Sequence, residues 1–327
     1  MKNRLFSFLL FACLLVPFAG AGAAEQPSIS SGRTMAVTFD DLPFVLEYWP
    51  DVSTMRDWIG QLLQQINAGQ VPVVGFVNEG KLYNQGQLDD AKVGLLKMWV
   101  DAGVELGNHT FSHASLNQAP LDIFEQDVIR GETVTKGLLE ERGLHLRYFR
   151  YPFLQVGLTL EKRRAFEQFL AGRGYTVAPV TLNSSEWIFA AAYIKAWHQK
   201  DTQLMQRIAD AYVPYMEQVV KQGEKMSVDL FGREIPQVLL VHANALNANQ
   251  FGALVAMLKR RGYAFVTLAQ AMQDPAYRSE DNYAGPDGES DLERWARAVG
   301  LRPPANPAVP AFVRQAAGLI AYTYGGY

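Results

Sequence analysis

Two adjacent carboxylates close a short apolar stretch near the start of the chain, in the sequence TFDD of residues 38–41. After an apolar strand, one such carboxylate could bind a metal ion while its neighbour acts as a general base. A solvated turn is the alternative, because Asp is common after strands and Pro43 follows. The pair marks Asp40 and Asp41 as candidate site residues and leaves both alternatives open.

Two histidines stand four residues apart in the sequence HTFSH of residues 109–113. If this segment coils into a helical turn, His109 and His113 lie on one face and can share a metal ion. A chance pair, or a buried pair bonded to backbone carbonyls, is the alternative. An aspartate and two histidines together match a catalytic zinc site, which has three protein ligands and an open position for water.

An arginine and a proline define a third candidate segment, RYPF at residues 150–153. Proline fixes the backbone of a turn, and arginine can hold a carboxylate through two parallel hydrogen bonds. An arginine at a strand end with aromatic packing around it is the alternative. The segment thus adds a cation that would help to keep Asp40 ionised.

Taken in this order, the three motifs resemble those of the polysaccharide deacetylase family, also called carbohydrate esterase family 4 or the NodB-homology family. A further family motif, leucines before a histidine, is similar to LLVH at residues 239–242. The resemblance covers residues 35 to about 270. It implies an α/β fold, a distorted (β/α) barrel with about seven parallel strands.

The resemblance also implies a role for each matched residue. Asp40 is the expected catalytic base, Arg150 the residue that orients it, and His242 the expected general acid. A divalent metal ion, usually zinc, is expected on Asp41, His109 and His113. The oxyanion and substrate side is expected at Phe153, through its backbone N–H, and at Tyr151.

The chain departs from the family at the fourth motif, where the family usually has an Asp-rich stretch that ends in Asp-Trp. Here NSSEW occupies residues 183–187. Glu186 could replace the aspartate that tunes the acid histidine, although its side chain is one methylene longer. A long helical insertion, residues 188–235, also precedes the fifth motif. Both departures concern the substrate more than the reaction.

Strand-like and helical segments alternate along residues 34–273, as in parallel β/α architecture. The carboxyl ends of such strands share one face, where the candidate site residues should meet. The rest, 274–327, is expected to be a C-terminal extension packed on the barrel, with one short helix at 292–299. Strands are predicted at 34–39, 71–77, 103–106, 147–150, 175–182, 237–241 and 264–268, and helices at 54–68, 87–102, 121–142, 159–173, 190–222 and 247–261.

The first 24 residues have the pattern of a secretory signal peptide. Lys2 and Arg4 precede an uncharged apolar segment that ends in small residues. The mature protein is therefore expected in the periplasm or outside the cell, without its single cysteine, Cys13. A lipoprotein processing site at Cys13 is the alternative. No later stretch is apolar and long enough to predict a membrane span.

The composition is that of a globular protein, with 327 residues, 49% of them hydrophobic, and a formal charge of −3. This charge gives no basic excess for nucleic acid. The predicted function is an exported, metal-dependent deacetylase for N-acetyl and possibly O-acetyl groups on a carbohydrate. An amidase or deformylase for a small, non-polymeric substrate is the alternative, and a non-enzymatic glycan-binding barrel is a second. Tyr48 and Trp49 are candidates for a sugar-binding groove.

Overall fold

The computed structural model describes residues 32–45 and 51–319. The expected signal peptide, Cys13, Tyr48 and Trp49 lie outside the described residues, so those expectations stay predictions. Within the described ranges, no helix is both long enough and apolar enough to cross a bilayer.

Seven parallel strands form one sheet that curls into a half-barrel, which confirms the predicted fold class. The order is β7-β6-β5-β2-β1-β8, and β9 pairs with the start of β1. A separate antiparallel hairpin consists of β3 and β4. The strands are β1 (Thr34–Leu42), β2 (Val73–Val77), β3 (Tyr83–Asn84), β4 (Gln87–Leu88), β5 (Glu105–Asn108), β6 (Tyr148–Phe149), β7 (Thr176–Val177), β8 (Gln237–His242) and β9 (Ala264–Phe265).

Helices pack around the sheet, and most of them connect one parallel strand to the next. The insertion predicted at 188–235 forms two helices, α6 and α7. The helices are α1 (Val52–Gly69), α2 (Asp90–Asp101), α3 (Leu121–Arg130), α4 (Thr133–Glu140), α5 (Leu160–Gly172), α6 (Glu186–His198), α7 (Thr202–Phe231), α8 (Ala245–Arg260), α9 (Leu268–Ala271), α10 (Asp291–Ala298) and α11 (Ala311–Ala316).

The central strand β1 is buried along almost its whole length because it pairs on both sides. Its register sets Asp40 opposite His242 on β8. On the other side, the register with β2 shifts between Phe39 and Leu42. Such an irregularity bends a strand and redirects its side chains. It falls on the two adjacent aspartates, so the pairing of β1 determines where both carboxylates point.

The single strand predicted at 175–182 was wrong, because this segment changes its partner. Its start, β7, pairs with β6, whereas Leu182 forms a bridge with Leu239 on β8. Between them, Pro179 has no N–H to donate, and the N–H of Val180 donates to the Asp291 side chain at 2.7 Å. The ladder is therefore interrupted, and the Leu182 bridge links this side of the sheet to β8.

The single helix predicted at 121–142 was also wrong, because the structure has α3 and α4 there. A Cβ on Gly131, between them, would lie 2.8 Å from backbone atoms of Thr110 and Phe111. The chain thus needs glycine at the point where it passes the histidine loop. The buried Glu79 carboxylate then accepts the N–H groups of Val134 and Thr135, which satisfies the start of α4. The break supports the histidine loop from below.

The described part of the C-terminal extension packs against the barrel. The N–H of Asp291 donates to the Val180 carbonyl at 2.7 Å, next to the reciprocal bond described above. Leu292 and Trp295 join Met226 and Ile235 in a small apolar cluster. The extension is therefore held by both hydrogen bonds and apolar contacts, while its boundary at residue 274 stays a prediction.

Candidate active site

Asp40 lies at the end of β1 in a hydrogen-bonded pair with Arg150. Asp40 is only 2% exposed, and its two oxygens accept from Nη1 of Arg150 at 3.3 and 3.4 Å. The guanidinium also donates to the carbonyls of Ala178 and Pro179 and to the Thr38 hydroxyl. Burial raises the pKa of Asp40, and the charge of Arg150 opposes that rise. Arg150 is thus fixed on several sides and holds the carboxylate in one position.

Asp41, His109 and His113 present ligand atoms that all lie within 4.8 Å of one another. Nε2 of His113 is 3.7 Å from Oδ1 of Asp41, and the two imidazole rings meet edge to face with centroids 4.9 Å apart. Zinc bonds of about 2.0–2.2 Å require ligand atoms within about 4 Å of one another. The spread is slightly wider than that, so a small inward movement of the side chains would complete a three-ligand site.

The protonation of the two histidines also suits a metal ion. Nδ1 of His109 is 2.8 Å from the carbonyl oxygen of Arg150, which can only accept, so Nε2 keeps its lone pair. Burial lowers the pKa of His109 to about 3 and that of His113 to about 4, so both rings are neutral at pH 7. Burial would raise the pKa of Asp41, but Lys81 and His113 hold it well below its usual range.

The HTFSH segment is not a helical turn, which corrects the expectation from its spacing. Thr110 and His113 have left-handed φ angles of 65° and 58°. The Asn108 side chain accepts the N–H of Thr110 at 2.7 Å, and the Asp127 carboxylate accepts both the N–H and the hydroxyl of Ser112 at 2.9 Å. Because side-chain acceptors replace the helical hydrogen bonds, the two rings converge through a folded loop.

Left-handed residues other than glycine concentrate around this site. Among the described residues there are eight of them, and five lie in or next to the three motifs: Asp41, Thr110, His113, Phe153 and Leu154. Each such conformation costs on the order of 1–3 kcal/mol and persists only where the surroundings fix it. This concentration is typical of a functional site, and it indicates that the fold holds these loops against their local preference.

The acid side of the site is built around His242 at the end of β8. His242 and its register partner Asp40 extend from the same face of the sheet. Nδ1 of His242 is 2.7 Å from Oε2 of Glu186, and Oε1 of Glu186 accepts from the amides of Asn244 at 2.6 Å and Asn247 at 2.8 Å. Burial alone would lower the pKa of His242, but Glu186 raises it to about 9. The longer carboxylate therefore reaches the acid histidine.

Phe153 and Tyr151 lie on opposite sides of their loop. Phe153 is 57% exposed, and its ring meets the His113 ring with centroids 4.3 Å apart. Its N–H has no acceptor within its single 3₁₀ turn, because the first N–H groups of any helix lack one. Tyr151, in contrast, is 4% exposed and packs against Phe149 and Phe166. The structure therefore does not bring the Tyr151 side chain to the site, since an aromatic core cluster takes it.

The C-terminal extension supports the loop that carries Phe153. Gly288 is so close to this loop that a Cβ there would lie 1.8 Å from the Phe153 carbonyl oxygen. The amides of Asn117 and Gln155 donate to the Pro286 carbonyl at 3.2 and 3.1 Å. These contacts were not expected from the sequence, because nothing in residues 274–327 resembles a site motif.

Lys81 is a site residue that the sequence did not indicate. Its Nζ is 3.1 Å from Oδ1 of Asp41 and donates to the Asp41 carbonyl oxygen at 2.9 Å. Lys81 follows β2, whose carboxyl end adjoins that of β1, and this position was the only available signal. A cation therefore lies beside the expected metal ligands.

Together these residues could hold a divalent cation and activate water beside it. One carboxylate oxygen and two imidazole nitrogens form a donor set that suits zinc, and the His109 tautomer and the neutral rings fit the same ion. A buried carboxylate held by Arg150 and a histidine paired with Glu186 supply one proton acceptor and one proton donor.

Comparisons with known proteins agree with this arrangement. No curated protein matches the chain. Three solved structures are similar to it. A chitin deacetylase from the fungal pathogen Colletotrichum lindemuthianum has 19% identity and a TM-score of 0.48 over 75% of this chain and 89% of its own. A family 4 carbohydrate esterase from Streptomyces lividans has 18% identity and a TM-score of 0.46 over 73% and 95%. A family 4 pseudoenzyme from Bacillus anthracis has 13% identity and a TM-score of 0.43 over 74% and 66%.

The family comparison covers the metal side of the site. Residues 28–167 match the family model described as polysaccharide deacetylase. This range contains the TFDD, HTFSH and RYPF motifs, whose side chains the fold gathers around Asp40 and Asp41. Over residues 28–167, the chain belongs to the polysaccharide deacetylase family.

Proposed function

We propose that this chain is a metal-dependent deacetylase that hydrolyses acetyl groups on a carbohydrate. The observation that carries the proposal is the convergence of Asp41, His109 and His113 beside the Asp40–Arg150 pair. A metal-ligand set next to a buried carboxylate is what hydrolysis by an activated water requires. Zinc is the proposed ion, because the donors are one oxygen and two imidazole nitrogens.

The chain's own residues supply the proton transfers and part of the charge stabilisation. A bound divalent cation would polarise the acetyl carbonyl as a Lewis acid. Asp40 accepts a proton from the attacking water, and Arg150 holds the carboxylate in place while it does so. The N–H of Phe153 is placed to donate to the developing oxyanion.

His242 completes the reaction as the general acid. Its pKa of about 9 keeps it protonated at neutral pH, so it can give a proton to the leaving amine nitrogen as the C–N bond breaks. Glu186 holds the ring through Nδ1, which leaves Nε2 as the donating atom. Acetate and a free amine are the products, and no covalent acyl-enzyme is needed.

An extended glycan is favoured over a small amide as the substrate. Phe153 and Trp187, which flank the metal side and the acid side, are 57% and 50% exposed. Exposed aromatic faces suit the stacking of sugar rings, whereas a site for a small amide would enclose it. We also propose export, on the pattern of residues 1–24; N-terminal sequencing of exported protein tests it, and a lipid on Cys13 would contradict it.

Acetate release tests the function directly. The mature protein, loaded with zinc, is incubated with chitooligosaccharides, peptidoglycan, poly-N-acetylglucosamine and acetylxylan. Release from at least one glycan, lost after treatment with a chelator and restored by zinc, is the expected result. Release only from small formyl or acetyl amides would support the amidase alternative. Glycan binding without release by the metal-loaded protein would support a binding role instead.

A further inference from the structure

A cavity lies beside the metal ligands, on the side of the β3–β4 hairpin. Its volume is about 480 Å³, and it is lined by Gly80, Tyr83, Gly86, Phe111, Arg130 and Thr133. Phe111 is part of the HTFSH loop, and Gly80 precedes Lys81, which contacts Asp41. The cavity and the site described above therefore share two loops.

Backbone geometry builds the aromatic wall of this cavity. The N–H of Gly80 donates to the Phe111 carbonyl at 2.8 Å, and a Cβ on Gly80 would lie 2.5 Å from that oxygen. Gln85 and Gly86, with φ angles of 50° and 81°, form the two-residue turn of the hairpin. The hairpin places Tyr83 against Phe111 with ring centroids 5.3 Å apart. The wall is thus preformed, which lowers the cost of binding.

Arg130 gives the cavity its charge. The guanidinium, in the last turn of α3, stacks over the Phe111 ring at 4.0 Å from the centroid. Within the described residues, Arg130 forms no ion pair with a carboxylate, and no acidic residue lines the cavity. A stacked guanidinium keeps its in-plane N–H donors available, and these donors match a carboxylate in geometry.

We propose that this cavity binds a carboxylate-bearing sugar next to the sugar that is deacetylated. The rings of Tyr83 and Phe111 offer faces for the sugar, and Arg130 pairs with its carboxylate. One guanidinium balances one negative charge, which favours a carboxylate over a phosphate monoester with about two. The proposal rests on the proposed function for the position of the second sugar, whereas binding itself requires no turnover.

The carboxylate could belong to a hexuronic acid or to a 3-O-lactyl ether of N-acetylglucosamine, so the test uses both. The probes are a galacturonic acid tetramer, a tetrasaccharide that alternates N-acetylglucosamine with its 3-O-lactyl ether, and neutral chitotetraose. Titration calorimetry measures their dissociation constants with the zinc-loaded full chain. Asp40→Asn serves as the background, so that no probe is hydrolysed.

Arg130→Met is compared with Arg207→Met as a matched control. Arg207 is also exposed and stacks over a phenylalanine ring, that of Phe312, at 4.8 Å, but it lies on α7. Arg130→Met should weaken the binding of at least one carboxylate probe by about tenfold and change chitotetraose binding by less than about twofold. Arg207→Met should change neither. Arg130→Lys, which keeps the charge without the planar fork, should fall between the two.

The subsite is refuted if chitotetraose binds as tightly as both carboxylate probes, or if Arg130→Met weakens all three probes alike. Acetate-release assays of the wild-type protein separate this outcome from a failure of the proposed function. Carboxylate-selective binding without acetate release from any glycan would overturn the function and leave the subsite. Acetate release with no carboxylate preference would overturn the subsite and leave the function.

Discussion

The metal side of the site and its acid side are built by different means. Asp41 and His113, on the metal side, are held by left-handed backbone in loops that follow short strands. His242 and Glu186, on the acid side, come from the regular end of β8 and the start of α6, and two asparagine amides fix the carboxylate. One side thus uses backbone strain, and the other uses a hydrogen-bonded side-chain network.

The difference corresponds to how far each side can vary. The metal side lies within residues 28–167, the range that matches the family model, and its ligands must meet at one ion. The acid side lies beyond that range, and it tolerates a Glu where the family usually has an Asp. Hydrogen bonds from Asn244 and Asn247 to Glu186 compensate for the longer side chain, because they fix the end of its extra methylene arm. Only the net effect on the His242 pKa has to be preserved.

The largest effect is expected at the boundary of the two sides, with Asp40→Asn. Loss of the base should lower kcat/KM by about 10⁴, while the protein keeps its zinc, because Asp40 is not among the three ligands. Zinc content by mass spectrometry and acetate release test both parts. His113→Ala is the comparison, and it should lose the metal as well as the activity. An Asp40→Asn protein without zinc would make Asp40 a ligand.

His242→Ala should have the next largest effect and separate the acid side from the metal side. Loss of the general acid should lower kcat/KM by about 10²–10³ for an N-acetyl substrate. An O-acetyl ester should suffer less, since an alkoxide leaves more easily than an amine anion. Zinc affinity, measured by competition with a chelator, should stay within about twofold. Turnover that stays near that of the wild-type protein would assign the proton transfer to another group.

Much of the fold could be predicted from the sequence, because β1, β2 and β8 are buried apolar runs. The errors came where tertiary contacts decide. Nothing local in residues 121–142 signals that Gly131 passes the backbone of the histidine loop. Nothing local in 175–182 signals that this segment changes its partner strand. Both features depend on neighbours that are distant in the sequence.

The same distinction applies to the site. Asp41, His109 and His113 could be predicted because each belongs to a motif with a fixed spacing. The spacing led to the right residues by the wrong geometry, since the HTFSH segment is a loop and not a helical turn. Lys81 and Asn247 could not be predicted, because only the strand register and the packing of α8 bring them to their carboxylates.

Glu186→Gln tests the network on the acid side through the pH profile. Because the pKa of His242 is raised to about 9 when Glu186 is charged, the protonated acid should be present below that pH and be lost above it. With Gln, the pKa should fall towards the ordinary value of about 6.5 or lower. Activity should then drop about thirtyfold at pH 8 and less than about twofold at pH 6. A profile that moves at both pH values alike would indicate only a structural role.

The smallest effect, and one confined to the metal side, is expected from Lys81→Met. Lys81 shares Oδ1 of Asp41 with the expected ion, so its charge must be displaced or tolerated when a divalent cation binds. Like charges about 4 Å apart repel by about 4 kcal/mol at an effective dielectric constant of 20, although the flexible lysine can swing away and relieve most of this. Lys81→Met should therefore bind zinc about tenfold more tightly in chelator competition. Lys92→Met is the control, because Lys92 donates to the Tyr83 carbonyl and not to a carboxylate. Weaker zinc binding by Lys81→Met would instead show that the lysine holds Asp41 in the position that the metal requires.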